Sequence, residues 1–232
     1  VYDLSIVDMH FNDYQEMRKY PDAFYISICN KRLTAVVQRF QSLSLFRRLL
    51  WSNWCPGTDE TTPLNRYEYL SLIVDSLLMR GLSVYDCLLR LVAQVHEVPV
   101  SPRSLSLKKL RDHNVNEKVV EWMDVLRDAL QEIGYQRNAR IHEGVETILT
   151  DQYDDTMLWI TPTFEGFGTK ISGDHEKAEN IDVEEYYMCG LSELQKKYIY
   201  ILNTLQPNIN AIFDKLAEEF ESRFREKLES TS

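Results

Sequence analysis

The sequence has few of the residues that mark metal, redox or nucleotide sites. It contains only eight glycines and four cysteines in 232 residues. No glycine-rich segment has the spacing of a Walker or dinucleotide-binding loop. Cys29, Cys55, Cys87 and Cys189 form neither a Cys-x-x-Cys pair nor a zinc-finger pattern with histidine. We therefore predict structural thiols in a reducing compartment, and a protein without metal or cofactor.

Long apolar runs are also missing. The longest, such as the one at 70–74, are far too short to cross a bilayer. No charged-then-apolar leader opens the chain. Because the first residue is Val1 rather than Met, a removed leader stays an open alternative. These features favour a soluble, cytoplasmic protein without a membrane partner.

The negative charge is concentrated in one segment. The net charge is −10, and residues 143–190 alone give 2 − 12 = −10 for Lys and Arg against Asp and Glu. Residues 101–142 give 8 − 6 = +2. General coating of nucleic acid is therefore disfavoured, whereas a local basic site is compatible with the sequence. The acidic segment either screens a site, docks a basic partner or is inert.

Apolar periodicity predicts two helices in the first hundred residues. The first runs from Asp22, as N-cap, to Leu50. The second follows Asn65 and has a seam with alternating spacings of four and three, which is typical of lengthwise packing against an antiparallel neighbour. Gly81 on this seam suggests a close approach of two backbones, with a helix of a second subunit as one candidate. The seam comprises Leu70, Val74, Leu77, Gly81, Val84, Leu88, Leu91 and Val95.

Two further helices are predicted in the second half. Asn116 caps a helix that reaches 133, and Gly134 is its C′ residue. An insert at 146–189 contains a small β-hairpin around 157–171. The last helix spans 191–220, and its proline should kink it. We predict an all-α, antiparallel four-helix-type bundle that forms a single domain over 1–232.

The segment from Arg137 to His142 can carry chemistry. Gly134 would end one helix, and Asn138 is a good N-cap for the next. Arg137 would then be the N′ residue and His142 the N4 residue, two positions that approach each other at a helix start. A guanidinium, an imidazole and free helix N–H groups would share one small volume. All three suit a phosphodiester.

This segment resembles the Arg-x(4–6)-His motif of the HEPN superfamily, including the polar Asn138 after the arginine. The resemblance covers roughly 22–145 and 190–226. It implies a homodimer and a metal-independent endoribonuclease in a toxin–antitoxin or phage-defence system. The active site would lie where the motifs of two subunits face each other, and an antitoxin or regulatory protein would be a partner.

The resemblance also implies roles for individual residues. His142 would transfer the proton during attack of the RNA 2′-OH, and Arg137 would hold the scissile phosphate. Asn138 would orient the histidine or the phosphate. Arg140 has no counterpart in the minimal motif and is interpreted as an auxiliary phosphate contact. Where some HEPN toxins have a modified tyrosine, this sequence has Gly144, which argues against that form of regulation.

A second function stays open, because many HEPN-like domains are inactive interaction modules. Arg137 and His142 would then bridge helices or pair with acids such as Glu143. The two functions make different structural predictions. A nuclease needs its histidines accessible in an open, positively charged cleft, whereas a binding module can bury them.

Overall fold

The computed structural model describes residues 19–51, 66–138, 142, 171–172, 180–181 and 183–231. This part of the chain contains six helices, α1 (Pro21–Leu50), α2 (Arg66–Val95), α3 (Leu107–Asp112), α4 (Glu117–Ala129), α5 (Gln131–Asn138) and α6 (Val183–Thr231). Two short strands, β1 (Ile171–Ser172) and β2 (Asn180–Ile181), pair antiparallel. The described residues are almost entirely helical, which confirms the predicted all-α class, and the four-helix-type arrangement stays a prediction. The hairpin predicted at 157–171 lies almost entirely outside the described residues.

The described residues divide into two compact units. Unit 1 consists of 19–41, 83–129 and 204–231. Unit 2 consists of 42–51, 66–82, 130–138 and 183–203, together with the short pieces between 142 and 181. Helices α1, α2 and α6 each contribute a segment to both units. The single domain predicted from the sequence stays a prediction.

Unit 1 has an apolar core built from five helices. Their apolar side chains recur at helical spacing, so each helix presents one continuous stripe for burial. The core side chains of α3 and α4 include Leu110, Val119, Met123 and Leu126, all completely buried. Those of α1, α2 and α6 include Val36, Val84, Leu88, Val92, Leu205, Ile209, Ile212 and Leu216.

Unit 2 has a core of its own. Inside it, Tyr198 of α6 donates a hydrogen bond to the Leu43 carbonyl of α1 at 2.6 Å. Gln195 donates to the Leu50 carbonyl at 2.8 Å. Because the later residue of α1 meets the earlier residue of α6, the two helices run in opposite directions within this unit. The buried side chains around these bonds are Leu43, Phe46, Leu50, Leu70, Ile73, Val74, Leu77, Leu78, Leu130, Ile133, Leu194 and Ile201.

The seam predicted on α2 is confirmed by burial. All eight of its positions, from Leu70 to Val95, are buried. Gly81 was predicted to allow a close approach of two backbones. Among the described residues, a Cβ built at Gly81 would meet only the side-chain Cδ1 of Ile133, at 3.9 Å. Space for a methyl group exists, so no close backbone approach among the described residues requires glycine.

The helix starts follow local rules with one correction. Helix α1 begins at Pro21, two residues earlier than an N-cap at Asp22 predicts, and the Tyr20 carbonyl accepts the first helical bond from the Phe24 amide at 2.9 Å. The predicted cap Asp22 is therefore inside the helix. Proline is favoured at the first helical position because it lacks an N–H that would find no partner there. At α4 the prediction is confirmed, since Asn116 Oδ1 accepts from the Lys118 amide at 3.1 Å.

The prediction of one helix ending at 133, with Gly134 as its C′ residue, is wrong. The helix ends at Ala129, and after Leu130 a new helix, α5, begins at Gln131. Gly134 lies inside α5, where its amide donates to the Leu130 carbonyl at 2.9 Å. The helical spacing of apolar residues continues across the break, from the buried Leu126 in α4 to the buried Ile133 in α5. The spacing alone therefore predicts one helix.

Helix α6 is assigned over 49 residues without interruption at Pro207. The proline therefore does not end the helix, and the kink predicted there stays a prediction. Nearby, Asn208 Nδ2 donates to the Thr204 carbonyl at 2.8 Å and so provides a side-chain bond in the turn around the proline. Within the described ranges, no helix has a stretch long and apolar enough to cross a membrane.

Candidate functional site

Arg137 and Asn138 lie in the last turn of α5. Asn138 is exposed and Arg137 is half-buried. The Arg137 Nη1 atom donates to Asn138 Oδ1 at 3.4 Å, which is long for a hydrogen bond. The guanidinium is therefore held only weakly by its neighbour, and its other donors stay available for a ligand.

The predicted helix start at Asn138 is wrong, because Asn138 is the last residue of α5. Gly134 was expected to end a helix before Asn138. Its backbone is helical instead, so α5 extends through Asn138. An N-cap residue has a non-helical backbone, whereas Asn138 is helical. The N–H cradle that was predicted to begin at Asn138 is therefore not formed there.

His142 is exposed, and its backbone is π-helical. Among the described residues it makes no hydrogen bond or ion pair. Arg140 and the rest of 139–141 lie outside the described residues, so Arg137 and His142 are placed without the segment that joins them. The structure thus leaves the imidazole accessible, and it describes no contact between the imidazole and the guanidinium.

The comparison of the chain with family models, curated proteins and solved structures gives no match. The resemblance to the HEPN superfamily accordingly rests on the motif at 137–142 and on the order of the helices.

The structure also shows a polar cluster in unit 1 that sequence reasoning missed. We name it the His96 cluster. Its centre is Glu97, whose carboxylate meets Lys227 Nζ at 2.9 Å and Arg223 Nη1 at 3.9 Å. The two cations lie near the C-terminal end of α6. The cluster comprises Tyr25, Cys29, His96, Glu97, Glu219, Arg223 and Lys227.

Glu97 holds an unusual position at the end of α2. Its φ angle is 50°, in the left-handed region that favours glycine. The Val98 amide donates to the Ala93 carbonyl at 2.9 Å, and the Glu97 amide donates to the Gln94 carbonyl at 3.1 Å. These two bonds define a Schellman motif with Glu97 as its C′ residue. A glycine is the usual sequence signal for a left-handed helix end, and none follows directly after Val95. A glutamate takes this conformation instead.

Tyr25 seals the cluster from the apolar side. Its hydroxyl donates to the Val95 carbonyl at 2.9 Å, so a residue of α1 caps the end of α2. Its ring stacks on Phe220 with a centroid distance of 5.4 Å, and Lys227 Nζ lies 5.1 Å from the Tyr25 centroid. A cation at this distance from an aromatic ring is attracted to it. The contacts link α1, α2 and α6 within unit 1.

Burial shifts the pKa values of three groups in the cluster toward their neutral forms, namely Tyr25, Cys29 and His96. Burial raises the pKa of the Cys29 thiol to about 12, so it is protonated and not nucleophilic at neutral pH. Burial also raises the pKa of Tyr25. Burial lowers the pKa of His96, with Glu219 opposing this and Arg223 adding to it. Its Nε2 atom is buried without a hydrogen-bond partner among the described residues.

This arrangement stabilises a helix end rather than performing chemistry. The carboxylate of Glu97 is neutralised by two cations, and the thiol and phenol are held in their protonated forms. Within the described ranges, no three His, Cys, Asp or Glu side chains come together as a metal site. The three described cysteines, Cys29, Cys87 and Cys189, are free thiols.

Proposed function

We propose that the protein is a homodimeric, metal-independent endoribonuclease whose active site combines Arg137, Asn138 and His142 from two subunits. The observation that carries this proposal is accessibility. His142 and Asn138 are exposed and Arg137 is half-buried, so RNA can reach all three side chains. A structural role for the pair would favour burial of both side chains, whereas His142 is exposed.

In the proposed reaction His142 accepts the proton of an RNA 2′-OH, whose oxygen then bonds to the adjacent phosphorus. The bond from phosphorus to the 5′-oxygen breaks, and that oxygen takes a proton from the second subunit's imidazole or from water. Arg137 balances the charge on the phosphoryl oxygens, and Asn138 orients the guanidinium through their shared hydrogen bond. Because Asn138 lies within α5 and is not the N-cap of a new helix, the proposal assigns phosphate binding to side chains, with Arg140 as a further contact.

The test is cleavage of structured RNA in EDTA by wild type, His142→Ala and a control, His113→Ala. His113 is also exposed, so its replacement removes an accessible imidazole elsewhere. His142→Ala should slow cleavage by about 10²–10⁴-fold, which is the usual contribution of a general acid–base group. His113→Ala should cut like wild type. Wild type that cuts no RNA, or His142→Ala that cuts normally, would exclude the catalytic assignment.

The second candidate is a non-catalytic, dimeric interaction module, and a specific observation favours it. Of the twelve large apolar side chains that are exposed among the described residues, nine lie in unit 2. An excess of exposed large apolar side chains is compatible with a protein–protein contact in this unit. The nine are Leu45, Leu49, Trp51, Leu72, Met79, Tyr135, Met188, Ile199 and Tyr200.

Light scattering beside the cleavage assay separates the two functions. A dimer that cuts RNA with dependence on His142 supports the nuclease. A dimer that cuts no RNA supports the interaction module. A monomer at micromolar concentration would remove the two-subunit active site and the dimeric module together.

A further inference from the structure

One stretch of this acidic chain that carries only positive charges lies between α2 and the end of α3. Residues 98–111 contain four Lys or Arg residues and no Asp or Glu, in a chain of net charge −10. The structure places these cations on the turn at 102–104 and on the short helix α3, all in unit 1. All four side chains are exposed, namely Arg103, Lys108, Lys109 and Arg111.

Three of these cations are not neutralised by acids. Arg111 is paired with Asp124 of α4, so its charge is taken up. Lys109 Nζ has only a distant contact with Asp112, at 4.0 Å, and both side chains are about half exposed. Arg103 and Lys108 make no ion pair or hydrogen bond within the described part of the chain. Exposed lysines near acids gain little from such contacts, so Lys109 also stays available.

The backbone that carries these cations is held in place by caps and buried side chains. Ser106 caps α3 by accepting from the Lys109 amide at 3.4 Å, and the buried Leu107 and Leu110 anchor the helix to the core. After the helix, Asn114, with a φ of 54°, is the C′ residue of a Schellman motif that is closed by the bond from the Val115 amide to the Leu110 carbonyl at 3.1 Å. The positions of the cations are therefore defined before any ligand binds.

We infer that Arg103, Lys108 and Lys109, which we call the basic surface, bind the phosphate backbone of single-stranded RNA. Lysine and arginine side chains without acidic partners are the groups that contact nucleic-acid phosphates. In the same turn, the exposed hydroxyls of Ser101 and Ser104 hydrogen-bond to each other at 2.8 Å and so stabilise the backbone beside Arg103. None of the exposed large apolar side chains lies in 98–113, which argues against insertion into a lipid surface.

The inference rests on the proposed function, because RNA is the polyanion that the proposed active site would use. It assigns RNA binding to residues of unit 1, which are separate from the proposed catalytic residues in unit 2. The binding is independent of base sequence, since phosphate contacts carry no sequence information.

The test measures binding of a fluorescent single-stranded RNA by anisotropy at 50 and 200 mM salt. Three phosphate contacts give a slope of about −2 in log affinity against log salt, so wild-type affinity should fall about 20-fold over this range. The triple variant Arg103→Gln, Lys108→Gln, Lys109→Gln should bind at least about 10-fold more weakly at 50 mM and lose most of its salt dependence.

A charge-matched control removes the effect of net charge. The variant Lys31→Gln, Arg90→Gln, Lys196→Gln also loses three exposed cations, none of which has an ion pair among the described residues. It should bind RNA as wild type does. Equal weakening in the control would overturn the inference, as would a triple variant that binds normally or a wild type that binds no RNA. Circular dichroism of both variants verifies folding.

Two additional arms separate the alternatives. Vesicles containing phosphatidylserine test a lipid surface, and loss of vesicle binding in the triple variant with unchanged RNA binding would overturn the assignment to RNA. Cleavage of the same RNA by wild type is the second arm. If wild type binds RNA through the basic surface but cuts none, the proposed nuclease fails while this inference stands.

Discussion

At the residue scale, Glu97 combines backbone strain with side-chain compensation. A left-handed conformation costs an ordinary L-residue about 1–2 kcal/mol relative to the right-handed one. The contacts of Glu97 with Arg223 and Lys227 offset part of this cost, although the three side chains are 43%, 33% and 21% exposed. Ion pairs with that exposure contribute about 0–1 kcal/mol. The ion pairs of Glu97 therefore come close to offsetting the cost of its left-handed backbone. A substitution that relieves the backbone and one that only removes the ion pairs should change the free energy of unfolding in opposite directions.

We predict that Glu97→Gly is more stable than Glu97→Ala by about 1 kcal/mol. Both variants lose the ion pairs, but only glycine adopts the positive φ without a Cβ penalty. The free energy of unfolding in urea measures the difference. If alanine were as stable as glycine at this position, the left-handed C′ assignment would be incorrect.

A pH dependence follows from His96. Burial lowers its pKa, so the folded-state pKa lies below the unfolded value of 6.5. As pH falls through 6.5, the unfolded chain binds the proton first, and the folded state loses stability until the folded pKa is passed. The groups that face the imidazole are Glu219, which favours the proton, and Arg223, which opposes it.

Urea unfolding of wild type and His96→Gln at pH 7.5, 6.5 and 5.5 tests this dependence. Wild type should lose more stability than His96→Gln as the pH falls below 6.5, because glutamine does not titrate. The two proteins should behave alike between pH 7.5 and 6.5, apart from a constant offset. Parallel losses down to pH 5.5 would indicate that His96 is not buried in the neutral form.

At the element scale, the main departure from expectation is the break between α4 and α5. Both helices have helical apolar spacing, so the pattern alone predicts one helix and assigns Gly134 to its end. In the structure Gly134 is helical, and a Cβ built there would meet Leu82 Cδ2 at 3.7 Å, an ordinary contact distance. The environment therefore accepts a methyl group.

Gly134→Ala should stabilise the protein by about 0.5–1 kcal/mol, since alanine is favoured over glycine inside a helix. At a left-handed C′ position the same change would destabilise, so the sign of the effect decides between the two assignments. Thermal unfolding measures it, with Gly81→Ala as a matched variant in α2. Gly81→Ala should also stabilise, because its methyl group would meet Ile133 Cδ1 at 3.9 Å.

At the scale of the whole molecule, charge and apolar surface are unevenly distributed. The acidic excess is in residues 143–190, most of which lie outside the described part. The basic surface is in unit 1, and most of the exposed apolar side chains are in unit 2. The proposed catalytic residues are in unit 2 and the basic surface is in unit 1, so the two proposals assign catalysis and RNA binding to different parts of the chain.

The candidate site was predicted from the sequence only in part. Residue types and spacing were enough to select Arg137, Asn138 and His142, and accessibility is compatible with their proposed role. The geometry offered for them was incorrect, because it depended on the conformation of Gly134. A glycine has no side chain whose pattern indicates whether it ends a helix or lies within one.

The sequence by itself determined the helical class and the buried face of α2, because helical periodicity places every third or fourth residue on one side whatever the rest of the chain does. It also determined the cap at Asn116, which needs only a neighbouring amide two residues away. Only the tertiary structure decided the end of α2. Glu97 is held there by Lys227, 130 residues later, and no local pattern contains the contacts that offset a strained backbone.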